Sequence, residues 1–383
     1  MTVEITLFGA TGFTGELTAR YLSQHLEPGT SWAIAGRSAD KLRDLAERLV
    51  AAGGVAPQVV VANRDDSVAM RQMAENTRVL ISTVGPYLQH GEPAVKAAAE
   101  AGITYLDLTG EPGFVDAMWL KYHELAVSTG ARLVHACGFD SIPYDLGTLY
   151  VVDQLPDDVS ITVKGYIRAN ASFSGGTYHS AITQFSQLGL ARKAAAERRR
   201  HEGRPERRRI RGGGKPGRAP EEIGGYGVPL PTIDPQIVLR SARGLPGYGP
   251  DFTYEHYAHF RSLRMAAASG VGLGGAVALA QLGPTRSLLL KAQDPGHGPS
   301  EERRERSWFR LSLIGEGGGQ QVRAEVSGPD PGYDATAIML AESALCLAFD
   351  ELPEVAGQTT TAIAMGRPLI DRIHRAGITF RTR

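Results

Sequence analysis

Short apolar runs alternate with longer stretches in which apolar side chains return every three or four positions through the first third of the chain. The runs Val3–Phe8, Ser31–Ala35, Gln58–Ala62, Val79–Ser82, Thr104–Leu108 and Arg132–His135 predict strands. The stretches near Thr14–Gln24, Asp40–Ala52, Ser67–Glu75, Pro93–Ala101 and Phe114–Ser128 predict helices. Strand and helix alternating through short joints give a doubly wound, Rossmann-like parallel sheet of the α/β class. The runs are short and apolar throughout, as strands covered by helices on both faces should be.

After Pro143 the rhythm changes. A helix near Asp145–Gln154 leads to a longer strand, Ser160–Ile167. Ile237–Arg243, Phe309–Ile314 and Gln321–Ser327 are further strand candidates, the last two forming a hairpin around Gly315–Gly319. Helices return at Ala335–Phe349 and Leu369–Ala376. The pattern predicts a Rossmann-like domain over 1–145, an α+β substrate domain over 146–332, and a helical segment, 333–383, packing back on the first domain.

Two segments break the pattern. Residues 191–218 hold twelve Lys or Arg against three Glu, together with Gly-Gly-Gly-Lys-Pro-Gly, and predict a helix end followed by a basic, mobile loop. Met265–Leu282 carries no charge and is rich in Ala, Gly and Val. Its length is borderline for a membrane span. Few of its side chains are large, so no span is expected; a buried or interfacial helix, with peripheral lipid contact, is.

The chain has 383 residues, 42% of them hydrophobic, enough for two packed cores. Lys plus Arg and Asp plus Glu both number 41, so no chain-wide field favours nucleic acid. Two cysteines, Cys137 and Cys346, without metal-type spacing, fit a reducing compartment. The first strand begins almost at Met1, leaving no room for a signal peptide, and a cytoplasmic location is the expectation. The ten histidines are scattered, and His256 and His259 have no matching carboxylate or cysteine cluster, so no metal is expected.

Chemistry enters at the first turn. Gly9-Ala-Thr11-Gly12-Phe13-Thr14-Gly15 follows the first strand and opens the first helix. Gly9 permits the tight turn, Gly12 the approach of a pyrophosphate to the backbone, and Gly15 the packing of helix on sheet. The spacing is GxxGxxG rather than GxGxxG, but its strand–turn–helix setting is that of a dinucleotide site. Where NAD enzymes carry an acidic residue after the second strand, this chain has Arg37, followed by Ser38 and Lys41. A guanidinium grips a 2′-phosphate that a carboxylate would repel, so NADP(H) is the expected cofactor. Ser38 equally fits a helix cap. Three motifs sit at later strand ends: Ser82-Thr83-Val84-Gly85-Pro86-Tyr87, Asp107-Leu108-Thr109-Gly110-Glu111 and Cys137-Gly138-Phe139-Asp140-Ser141-Ile142-Pro143. Thr83, Val84, Gly85 and Pro86 belong beside the nicotinamide ribose. Singly these motifs read equally well as turns and caps; together they predict a lined cleft.

At these residues the sequence resembles the saccharopine dehydrogenase-like oxidoreductases, in particular the trans-acting enoyl reductases. The resemblance rests on GATGFTG, AGRSADKL, STVGPY, YLDLTGE, GFDSIPYDLG, SGGT at Ser174–Thr177, GPS–E–R at Gly298–Arg303 and GPDPGYDATA, and so covers essentially the whole chain. It implies an NADP-type Rossmann domain, and reduction of enoyl intermediates of lipid polyketides in trans to a synthase. The implied partner is an acyl thioester on CoA or on the acyl carrier protein of a polyketide synthase. Asn63-Arg64 departs from the acidic residue often found there, leaving Asp65 as the nearest substitute for an adenine contact.

Enoyl reduction needs donors for a developing enolate oxygen and an acid for Cα. Tyr87, Tyr178 and His179 are the catalytic candidates, and the sequence does not identify the acid. A saccharopine-type C–N dehydrogenase would need cations for substrate carboxylates, which the middle domain shows only in its basic stretch. A non-catalytic NADP(H)-binding protein on a lipid surface would use the same glycine loop. The short-chain dehydrogenase reading fails, since no tyrosine has a lysine four positions on.

Overall fold

The computed structural model describes residues 2–171, 182–183, 186–203, 205, 207–291 and 299–383. Seven strands form the first sheet: β1 (Val3–Phe8), β2 (Trp32–Gly36), β3 (Gln58–Val61), β4 (Thr77–Ser82), β5 (Thr104–Asp107), β6 (Arg132–Val134) and β14 (Gly357–Thr359). Their order is β3-β2-β1-β4-β5-β6-β14, and every pairing is parallel. This is the Rossmann arrangement, extended at one edge by a strand from near the C-terminus. The carboxyl ends of the strands therefore line up along one edge of the sheet, where ligands of such folds bind.

The second sheet is mixed. It comprises β7 (Ile161–Asn170), β8 (Arg209–Gly213), β9 (Gly217–Arg218), β10 (Tyr226–Pro229), β11 (Asp251–Phe260), β12 (Trp308–Gly317), β13 (Gln320–Gly328) and β15 (Thr379–Thr382). The order is β15-β13-β12-β7-β11-β10-β9, with β8 also pairing β11. β12 and β13 make the expected hairpin, turning through Gly318 and Gly319 at positive φ.

The C-terminal segment serves both sheets, since β14 joins the first and β15 the second. Its helix Asp334–Phe349 packs against the first helix, Phe13–His25, where the Tyr21 hydroxyl donates to Glu342 Oε1 at 2.7 Å. Asp145, fully buried in the helix Ile142–Val152, is another tie. Its carboxylate accepts hydrogen bonds from Ser241, from Thr361 Oγ1 at 2.6 Å and from the Ala362 N–H at 2.8 Å.

Three expectations change. Ile237–Arg243 is not a strand but part of the helix Asp234–Gly244. Pro235 suits a first helical turn, and Ile237, Val238, Ser241 and Ala242 are buried at helical spacing. β11 was not foreseen: Phe252, Tyr254 and His256 alternate inward, but a charged residue or histidine beside each aromatic masks the period. The basic stretch is largely ordered structure, with the helix Leu188–Glu202 followed by β8 and β9.

Met265–Leu282 forms a helix, Leu263–Gln281, with only 12% of its most apolar window buried. By length and composition this helix could cross a membrane. Of the two placements expected for it, burial is excluded.

Candidate functional site

The glycine loop is built for close contact. Gly9 has φ +88, and a Cβ there would lie 2.8 Å from Thr83 Oγ1 and from Val84 Cγ2. A Cβ on Gly15 would lie 2.3 Å from the Gly9 carbonyl oxygen. These two glycines are fixed by the protein itself. Gly12 is different: a Cβ there would meet only the Gly9 oxygen, at 3.4 Å, so its outer side faces open space. Gly12 caps the helix Phe13–His25, and no side chain bonds the helix's first N–H groups. The amides of Phe13, Thr14 and Gly15 thus end a 13-residue helix without a protein acceptor among the described residues. Such an N-terminus is an anion site.

The other expected residues follow along the same sheet edge. Arg37 is exposed beyond β2, with no ion pair among the described residues. Ser38 caps the next helix, its Oγ accepting from the Lys41 N–H at 3.4 Å, and the Lys41 side chain is exposed. Asp65 is exposed beyond β3 and pairs with Arg64 at 3.6 Å. Thr83 donates to the carbonyls of Phe8 at 3.2 Å and Gly9 at 3.1 Å, joining the end of β4 to the glycine loop. Val84 and Pro86 are half-buried, Gly85 is exposed, and the Gly85–Pro86 bond is cis. Tyr178 and His179 lie outside the described residues.

Tyr87 is placed differently from the expectation. Its side chain is buried; its hydroxyl donates to the Ser82 carbonyl at 2.9 Å and accepts from the Leu108 N–H at 3.2 Å. Burial first, then the charge of Asp107, pushes its ionisation far above the ordinary tyrosine range. The group ties two strand ends together and is not turned toward a substrate. Glu111 does related work, its carboxylate accepting from the Tyr87 and Leu88 N–H groups at 3.1 and 2.8 Å.

Past β5 and β6 lie groups that the sequence named only within its strand and strand-end motifs. Asp107 and His135 are both fully buried, with His135 Nδ1 2.6 Å from Asp107 Oδ2. Asp107 Oδ1 accepts from the Thr109 and Ala136 N–H groups, both at 3.0 Å. The pair holds the loops after β5 and β6 together and fixes Ala136 at φ +60. Beyond it stands Asp140, over Gly110: a Cβ on that glycine would lie 2.6 Å from Asp140 Oδ2. The side chain opens to solvent, yet protein surrounds it on the longer scale over which charge is felt, and burial raises its carboxyl to about 6. Asp140 has no hydrogen bond among the described residues.

Behind Asp140, where the two sheets meet, lies Asp234. Burial and then the charge of Asp140 push its carboxyl well up. His256 Nε2 lies 3.7 Å from Asp234 Oδ2, and Tyr144 packs edge-on against the imidazole with centroids 4.8 Å apart. Burial lowers the histidine to about 3, so it is neutral. The recoverable signal was the bare aspartate in Gly138-Phe139-Asp140-Ser141, an acid at a strand end among small residues.

A third feature is the state of the cations. Arg198 is buried and bonds Asp116 at 3.2 Å and Glu202 at 2.6 Å, with its guanidinium 4.8 Å above the Trp119 ring. Arg240 bonds Asp116 at 2.8 Å and also Glu202. Arg208 donates to the carbonyls of Gly249 and Leu245, and Arg211 pairs with Asp251. Arg304 pairs with Asp334 at 3.1 Å and lies 5.6 Å over Phe13, beside the glycine loop. The arginines most firmly placed between the elements are thus matched to internal acceptors.

Comparison with known proteins identifies the first domain and its family. Residues 5–134 match the family model described as the saccharopine dehydrogenase NADP binding domain. Over 98% of its length the chain is 32% identical to a trans-acting enoyl reductase of Mycobacterium ulcerans, covering 96% of that protein. It is 29% identical to a saccharopine dehydrogenase-like oxidoreductase of Rattus norvegicus, with 98% and 96% of the two chains covered. Among solved structures, saccharopine dehydrogenase (L-Glu forming) of Saccharomyces cerevisiae matches over 100% of both chains, with a TM-score of 0.53 and 10% identity, a likeness of fold. The open backbone at Gly12, the uncapped helix end and the unpaired Arg37 fit NADP(H), which this domain binds.

Proposed function

Since the chain belongs to the saccharopine dehydrogenase-like family of NADP-dependent oxidoreductases, we propose that it reduces the carbon–carbon double bond of an enoyl thioester. The substrate rides on CoA or on the acyl carrier protein of a polyketide synthase, and the enzyme acts in trans. The observation that carries this reading against a C–N dehydrogenase is the matching of Arg198, Arg240 and Arg208, the arginines set between elements, to Asp116, Glu202 and backbone carbonyls. An amino-acid adduct with several carboxylates needs unmatched cations; an acyl thioester does not. The full-length likeness to a trans-acting enoyl reductase supports the same choice.

The amides at Phe13–Gly15 and the guanidinium of Arg37 would hold the phosphates of NADPH, which when bound would supply a hydride for the β-carbon. This chain's residues supply the rest. Asp107, His135, Tyr87 and Glu111 fix the loops after β4, β5 and β6 against one another. Asp140 delivers the proton to Cα as the enolate collapses, leaving a carboxylate that water reprotonates. Burial biases Asp140 toward its protonated form. For docking a carrier, the exposed Arg192, Lys193, Arg199 and Arg200 of the helix Leu188–Glu202 present a positive face to an acidic partner or to the phosphates of CoA.

The test is NADPH oxidation with a panel of enoyl-CoA and carrier-bound enoyl thioesters, alongside glutamate-type imine adducts. Consumption with enoyl thioesters and saturated product supports the reading. Consumption only with the imine adducts overturns it.

A further inference from the structure

The helix Leu263–Gln281 touches the folded body at β10 and β11, and with the shorter Gly283–Lys291 it carries a run of exposed apolar side chains. Leu263, Met265, Val271, Leu279, Leu282 and Leu288 are all between 45% and 78% exposed. Of the remaining exposed large apolar residues, Val59 and Val61 share the edge strand β3, and Val50, Val68, Val127, Leu190 and Phe349 lie on separate helices. A cluster of this size marks an interaction surface. Between Gly270 and Gly275 the four glycines have nothing within 4 Å of a Cβ placed on them, so none of the described residues covers the helix at those positions.

We infer that this helical arm is a bilayer-surface anchor, which lies in the interface of an anionic membrane. The charge pattern selects that occupant. From His256 to Gln293 there is no Asp or Glu, while Arg261 and Arg264 stand at one end of the arm and Arg286 and Lys291 at the other. Anionic headgroups neutralise both ends at once. A second copy of the arm would bring positive ends together in either orientation.

Geometry sets the depth. The 19-residue helix is long enough for a crossing. Both flanks, however, are tethered to the same folded body: Phe260 pairs with Tyr226, and Arg304 bonds Asp334. The return leg, Gly283–Lys291, has nine residues. At 1.5 Å per residue it spans roughly 14 Å, about half the hydrocarbon core, and it carries Arg286 and Lys291. The arm therefore lies along the surface, apolar side chains down and guanidinium groups at headgroup level. This reading does not depend on enoyl reduction. A surface anchor would hold the protein at a bilayer where long acyl chains collect, whatever reaction follows.

The test is co-flotation of the full-length protein with vesicles of phosphatidylcholine alone and with 30% phosphatidylglycerol, about a third anionic, as a lipid of that charge class demands. Wild type should float with the anionic vesicles and be released as salt is raised. Val271→Asp with Leu279→Asp should weaken flotation at least tenfold, since two exposed apolar anchors are lost. Arg261→Gln with Arg264→Gln and Arg286→Gln should abolish the preference for phosphatidylglycerol. NADPH binding, measured by fluorescence, should be retained in both variants, showing that the fold survives. No flotation of wild type with either vesicle overturns the proposal. So does a wild-type dimer, indifferent to vesicles, that the aspartate variant converts to monomer, since a second copy then covers the arm.

Discussion

Replacing Arg198 with Gln separates architecture from surface charge within the basic stretch. The Arg198 side chain is 4% exposed and has three attachments: Asp116 at 3.2 Å, Glu202 at 2.6 Å and the Trp119 ring. Through them the helix Leu188–Glu202 is held against Pro112–Thr129. Removing one partner of a buried pair costs about 3–5 kcal/mol. Arg240 remains 2.8 Å from Asp116, and Glu202 is partly open to water, so the loss belongs at the low end, about 3 kcal/mol. Arg199 and Arg200, exposed on the same helix, should each change stability by less than about 0.5 kcal/mol when made Gln. The pH dependence has a definite sign. Burial already raises the Asp116 carboxyl above its unfolded value in spite of two guanidinium groups. Losing Arg198 raises it further. A carboxyl raised on folding is favoured by protonation, so the defect is largest at neutral pH and shrinks as pH falls toward the unfolded value. Denaturant unfolding followed by tryptophan fluorescence at pH 7.5 and 5, two sides of that range, reads both effects. Equal stability of the Arg198, Arg199 and Arg200 variants would refute the buried network.

Arg37→Asp should lower NADPH affinity on the order of tenfold to a hundredfold and shift preference toward NADH, read by fluorescence titration with each cofactor. Gly12→Val should fold but not bind cofactor, whereas Gly15→Ala, whose Cβ would lie 2.3 Å from the Gly9 oxygen, should lower the melting temperature as well. Asp140→Asn should lower kcat by about a hundredfold or more. Wild type should show a fall in kcat/KM as pH rises through about 6, and Asp140→Asn should remove it. His256, held neutral with its ionisation lowered to about 3, makes the native state lose stability as pH falls below the ordinary histidine value. His256→Gln should flatten that acid limb in thermal melts between pH 7 and 4, a range spanning roughly the unfolded value.

The Rossmann half was legible because its signals are local. Six strands read as apolar runs, and the glycine loop sits between a strand and a helix, so β1 to β6 and the loop at Gly9–Gly15 emerged near their observed places. The second sheet was harder, because its order is set by pairings between distant segments. β11 pairs with β7, β8 and β10, and its mixture of histidine, glutamate and aromatic residues does not show which face is inward. Composition misled at 191–218, where charge density predicts a solvated loop. Arg198 is buried and Arg208 half-buried there, because Asp116 and backbone carbonyls from other elements meet them, with Glu202 one turn along Arg198's own helix. No sequence spacing links Arg198 to Asp116 or Arg208 to Gly249. The surroundings of Tyr87 were hidden for a related reason, since its hydroxyl meets the Ser82 carbonyl and the Leu108 N–H at the ends of two strands. The acid at Asp140 needed the third dimension, since its surroundings come from the Gly110 turn and from Asp234 in the second half of the chain.

The most direct test of the central claim is a single turnover with NADPH deuterated at C4 and a carrier-bound or CoA-bound enoyl thioester. Mass spectrometry then locates the label. The account predicts a saturated acyl thioester with one deuterium at Cβ and a solvent-derived proton at Cα, and in Asp140→Asn a slower reaction with the same deuterium position. Unchanged enoyl thioester with NADPD fully retained, in a protein that binds the cofactor, would contradict it.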